Sequence, residues 1–137
     1  MQNNCHRRPA DVVNSSMSVA TPSTVPITNY GDFWPHYLRE HSKPETRALH
    51  YAGTLAGTLL WLVGFCTGNY KLIPMGIFVG YFGAWVGHFF VEHNRPATFK
   101  YPGWSFVSDY VMLGYWLTGK LNLQLHQAGV QSIKKVA

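Results

Sequence analysis

Residues 72–91 read LIPMGIFVGYFGAWVGHFFV, twenty positions without Asp, Glu, Lys or Arg. About twenty apolar residues, coiled as a helix, match the hydrocarbon thickness of a bilayer. Just upstream, Thr67-Gly68-Asn69 is a turn signal, and the run from Tyr51 to Thr67 before it carries no charge. Two uncharged stretches around a short turn predict an antiparallel transmembrane hairpin. Gly53, Gly57 and Gly64 in the first stretch, and Gly76, Gly80, Gly83 and Gly87 in the second, are the small residues that let helices approach closely in lipid.

Outward from the hairpin, Ser42 and Glu45 have capping-box spacing with Pro44 between them, so the first long helix is expected to start near Lys43 and run to about Cys66. Before it, residues 30–41, YGDFWPHYLREH, place Phe33, Trp34, Tyr37 and Leu38 on one aromatic face of a short helix, with Pro35 in its first turn. Trp and Tyr beside Arg and His suit a membrane interface. Beyond the hairpin, Pro96 ends the second helix and Pro102-Gly103 marks a loop. The third apolar segment, Trp104 to Leu121, contains Asp109 and is short for a span, so it lies at the interface or dips partly in; Ser105 or Ser108 is its expected cap. The fold class is therefore all-α, a polytopic membrane helical bundle built on the hairpin with interfacial or short membrane helices beside it. Residues 1–29, polar and without helical period, read as a disordered tail, residues 30–121 as the membrane domain, and residues 122–137 as a basic C-terminal tail.

Composition agrees. Charged residues are 12% of the 137, against about 25% in soluble domains, while aromatics reach 15%. The net charge of +5 forms no stripe along a helix, so it suits an anionic membrane surface better than nucleic acid. Cys5 and Cys66 lie in the tail and in an apolar run, which excludes a disulfide framework or a CxxC site. Arg39, Lys43, Arg47, Arg95 and Lys100 flank the hairpin, and only Lys71 lies in its turn, so both hairpin ends are expected in the cytoplasm. An integral protein of the endoplasmic reticulum is expected in a eukaryote, and of the inner membrane in a bacterium.

An antiparallel hairpin brings the start of one helix beside the end of the next. His50 and His88 should then share one depth, with His41 just above them and Glu92 four residues from His88 on one α-helical face. Three imidazoles and a carboxylate suit Fe(II), Zn or Mn. The competing reading is a set of interfacial polar groups bonding to headgroups or to each other. Ionisable groups at membrane depth are costly, and that favours a site. His36 and His93 read as interfacial. Asp109 needs a partner, for which Arg95, Arg47 or a metal-bound His would serve, and it is taken with Glu92 as a candidate catalytic acid. The HxxxH and HxxHH boxes of membrane desaturases are absent, as are GxSxG, P-loop and dinucleotide motifs.

The stretch FWPHYLREHSKPETRALHYAGT, followed by FVGYFGAWVGHFFVEHNRPATFKYPGWSFVSDYVML, resembles the small membrane proteins of the Mpo1-like (DUF962) family from about Tyr30 to Leu121. The specific points are the His41 and His50 pair, Gly87-His88 with Glu92, Asn94, Pro96 and Ala97, and Trp104 with Asp109. Thr46 stands where the family pattern expects Asn. The resemblance implies an Fe(II)-dependent dioxygenase of fatty-acid α-oxidation, removing one carbon from 2-hydroxy long-chain fatty acids derived from phytosphingosine. It implies that His41, His50 and His88 bind Fe(2+), with Glu92 as ligand or nearby base, and that a 2-hydroxy fatty acid, dioxygen and membrane lipid are the partners. Arg47 or Arg95 is then expected to hold the substrate carboxylate. A membrane scaffold or lipid-binding protein and a metal-dependent lipid hydrolase are the alternatives.

Overall fold

The computed structural model describes residues 26–130; the expectations for residues 1–25 and 131–137 lie outside them. The described chain is all-helical: α1 (Tyr30–Glu40), α2 (Pro44–Thr67), α3 (Leu72–Val86) continued by a π-helical turn (Gly87–Glu92), a single 3-10 turn (Ala97–Phe99), α4 (Pro102–Leu117) and α5 (Leu121–Gln127).

The hairpin forms as expected. Gly68, left-handed at φ 69°, ends α2, and the chain turns directly into α3. The two helices run antiparallel on their glycines. A Cβ at Gly57 would stand 2.6 Å from the Gly76 carbonyl oxygen, and one at Gly53 would stand 2.9 Å from that of Gly80. Only glycine permits that approach. Pro44–Thr67 and Leu72–Glu92 are long and apolar enough to cross a membrane. Core helices of soluble proteins pass the same test, but those are mostly buried. Here only 28% and 22% of the apolar windows are buried. Leu55, Leu59, Leu62, Phe65, Phe78 and Phe82 all stand more than half exposed. An apolar belt of that extent needs lipid or a partner over it, and the chain is membrane-associated on this ground.

The remaining helices pack across the histidine-bearing end of the hairpin. Phe33, Tyr37 and Leu38 of α1 are buried with Met112 and Leu113 of α4 and with Leu121 and Leu125 of α5. Trp34 Nε1 donates to Gln124 Oε1 at 2.9 Å, tying α1 to α5. α4, sixteen residues long, is shorter than the two candidate spans.

Three local expectations are corrected. The Ser42–Glu45 capping box does not form: Lys43 is the N-cap of α2 without a side-chain cap, because the Ser42 hydroxyl donates to Glu92 instead. Pro35 is not in the first turn of α1, since Asn29 caps the helix through the Asp32 N–H and starts it five residues earlier. Neither Ser105 nor Ser108 caps α4; Pro102 sits in its first turn, both serines are buried inside the helix, and Ser108 Oγ pairs with the Tyr30 hydroxyl at 3.0 Å.

Candidate metal centre

His41 ends α1, His50 lies two turns into α2, and His88 lies in the π-helical turn. All three are buried, at 1%, 4% and 2% exposure, and their ligand atoms lie within 4.8 Å of one another. The rings stand mutually edge-on, at interplanar angles of 82°, 78° and 89°.

Each ring is held from behind through Nδ1. His41 Nδ1 is 2.6 Å from the Tyr37 carbonyl oxygen, a group that only accepts. His50 Nδ1 is 2.8 Å from Asp109 Oδ1. His88 Nδ1 is 2.7 Å from Asn94 Oδ1, while the Asn94 amide donates to the Glu40 backbone and carboxylate. Three acceptors therefore call for a proton on each Nδ1, and the Nε2 atoms are the ones left to bind a metal. His41 Nε2 and His50 Nε2 face each other at 3.1 Å. A proton between them would place an imidazolium in the core. Burial and then the neighbouring His50 and His88 hold the His41 pKa well below the ordinary histidine range. Two lone pairs at that distance repel unless a cation lies between them. Nitrogens about 2.1 Å from one ion at right angles stand about 3.0 Å apart, so the donor set fits a divalent transition metal.

Of the three partners the sequence left open for Asp109, Arg95, Arg47 or a histidine of the centre, the structure brings up the histidine. Asp109 Oδ1 accepts from His50 and from the Tyr37 hydroxyl. Burial, and the Asp109 charge beside it, push the Tyr37 phenol well up, so it stays a donor. This is a carboxylate–histidine arrangement of the kind that orients metal ligands.

Glu92 is not brought to the three histidines. The π-helical turn carries more residues per turn than an α-helix, so a spacing of four no longer aligns Glu92 with His88. The Glu92 carboxylate instead accepts from the Lys43 N–H at 2.6 Å and from Ser42 Oγ at 3.0 Å, with Lys43 Nζ donating to the Val91 carbonyl. It fastens the start of α2 to the end of α3. Arg47 donates to the carbonyls of His41 and Ser42, both at 2.8 Å, and so pins the link between α1 and α2. Arg95 and His93 are exposed; His93 is left-handed at φ 58° and terminates the π-helical turn. Thr46 is fully buried against Gly87, with no hydrogen-bond partner for its hydroxyl among the described residues.

Tyr37 and Asn94 are the site residues that sequence reasoning missed as such. Asn94 follows His88 by six positions, which on a straight α-helix points elsewhere; its backbone N–H also closes onto the His88 carbonyl at 3.0 Å as the helix unwinds. Tyr37 reads as one more aromatic of the α1 face.

A family model described as 2-hydroxy-palmitic acid dioxygenase Mpo1-like matches residues 27–121. The chain belongs to the Mpo1-like family. No curated protein and no solved structure matches it. The Mpo1-like region ends at the first residue of α5 and contains all three histidines, together with Tyr37, Asn94 and Asp109.

Proposed function

We propose that this Mpo1-like chain is an iron-dependent dioxygenase that shortens 2-hydroxy long-chain fatty acids by one carbon. The single observation that carries the metal is the pair of Nε2 atoms facing each other at 3.1 Å, with a third imidazole completing the set. Iron(II), when bound, supplies the one-electron chemistry that dioxygen requires and leaves positions open for oxygen donors. Three neutral nitrogens and no carboxylate ligand leave the ion's charge uncompensated by the protein, which favours an anionic, chelating substrate such as a 2-hydroxy acid. The family's description supports the substrate class.

The protein's own groups hold and orient. Asp109 and Tyr37 fix His50, Asn94 fixes His88, and the Tyr37 carbonyl fixes His41. Arg47 and Arg95 are the cations proposed for the substrate carboxylate; Arg47 has guanidinium N–H groups beyond the nitrogen that serves His41 and Ser42. We assign Glu92 the fastening of α2 to α3 and Asp109 the positioning of His50. Both hairpin ends are proposed to face the cytoplasm, on the charge bias alone. The proposed reaction balances: 2-hydroxypalmitate and dioxygen give pentadecanoate, carbon dioxide and water, C2 becoming the new carboxylate.

The test is oxygen uptake by the purified, iron-loaded protein with 2-hydroxypalmitate, with pentadecanoate measured beside it. Equimolar uptake and product support the reading. Release of fatty acid from ester lipids without oxygen uptake would assign the centre to hydrolysis.

A further inference from the structure

A groove of about 200 Å³ opens between α2, α3 and α4 beside the three-histidine centre. Its inner end is Asp109, whose carboxylate holds His50. From there it follows α2 from Thr54, one turn beyond His50, to Trp61, a run of about 10 Å along the helix axis. Two of its three walls, α2 and α3, are helices apolar and long enough to span a bilayer, so the groove lies at membrane depth.

Three of the polar side chains that line it, Thr58, Trp61 and Tyr110, are already hydrogen-bonded within the protein. Thr58 Oγ1 donates to the Thr54 carbonyl and pairs with the Tyr110 hydroxyl at 2.9 Å, and Trp61 Nε1 donates to the Ile73 carbonyl. Gly53, Gly57, Gly76, Gly80, Ile77 and Phe106 make most of its lining apolar, so an apolar occupant is favoured. Gly80 adds an independent sign. At Gly53, Gly57 and Gly76 a Cβ would meet the facing helix or Trp61 at 2.9 Å or less, so packing demands glycine. At Gly80 the nearest atom would be 3.8 Å away, so helix packing does not demand the missing side chain; it leaves the groove open.

We propose that this groove holds the acyl chain of the substrate, a single unbranched hydrocarbon chain entering from the bilayer, with its head group delivered to the metal centre past Asp109. The proposal rests on the fatty-acid reading above. Three bonds of an extended chain advance at most about 3.3–3.6 Å, so 10 Å accommodates roughly nine carbon–carbon bonds. A medium-length chain would fill the groove, and a longer one would trail into lipid.

The experiment uses the full chain in lipid nanodiscs and two readouts. A palmitic acid carrying a mid-chain diazirine is photolysed on the wild-type protein and its adducts are mapped by mass spectrometry; they are expected on Thr54, Ile77, Gly80 or Tyr110. Gly80→Leu should reduce that labelling, and should lower the kcat/KM ratio of 2-hydroxypalmitate to 2-hydroxyoctanoate about tenfold or more, as losing two or more buried methylenes predicts. Gly114→Leu, where a Cβ meets nothing, should leave the ratio unchanged. Adducts confined to the outer belt at Leu59 and Phe82 in the wild type would overturn the proposal, as would an unaltered ratio in a folded Gly80→Leu protein. Labelling in the groove without oxidation of any 2-hydroxy acid would uphold the acyl site and refute the dioxygenase reading. Oxidation without groove labelling would do the reverse.

Discussion

His50 shows how much one side chain depends on what stands behind it. Its Nδ1–H has Asp109 as acceptor, and Asp109 is itself braced by Tyr37. Asp109→Ala should therefore release the ring and its tautomer and lower metal affinity about 10- to 100-fold, while Tyr37→Phe, which leaves the Asp109–His50 pair in place, should do less. Metal titration of the two variants checks the order; equal losses would contradict it. Glu92→Gln separates position in sequence from position in space. Its oxygens serve Ser42 and Lys43, so the variant should keep its full complement of metal and lose thermal stability only. A variant that folds but arrives without metal would return Glu92 to the ligand set. His93 carries strain instead of chemistry: at φ 58° glycine is at ease, so His93→Gly should retain the protein's melting temperature and its metal.

At the scale of the elements, the glycine seam between α2 and α3 sets the distance at which His50 and His88 meet. Gly57→Ala drives a methyl to 2.6 Å from the Gly76 carbonyl and should destabilise the hairpin by about 1–3 kcal/mol. Gly114→Ala, exposed on α4 with open space at its Cβ, should cost nothing and gain up to about 1 kcal/mol of helix propensity. Thermal unfolding in one detergent compares them. The hairpin was legible in the sequence because hydrocarbon thickness and helix rise leave little choice for two uncharged runs around Gly68. The meeting of His50 and His88 followed from antiparallel pairing, and His41 was expected just above them. What was not legible is the unwinding after Val86. Nothing in GHFFVEHN announces a π-helical turn, and that turn decides that Asn94, and not Glu92, stands behind His88. The capping box failed for a related reason: Ser42 has a distant acceptor that no local spacing reveals.

Taken whole, the molecule is an apolar hairpin crowned by a polar centre that α1, α4 and α5 cover. An accessible cysteine at Asn69, in the turn, should be labelled only from the non-cytoplasmic side; labelling from the cytoplasm would reverse the proposed orientation. The cover explains how three histidines can be buried at the edge of a membrane: each Nδ1 has its acceptor, and the Nε2 atoms are grouped as a metal would need them. That claim is tested most directly by elemental analysis of the detergent-purified protein and of His41→Ala, His50→Ala, His88→Ala and His36→Ala. The account predicts close to one iron per wild-type and His36→Ala chain, and little or none in the other three while they still reach the membrane. Metal content unchanged in all three would contradict it and leave the cluster as a hydrogen-bonded core.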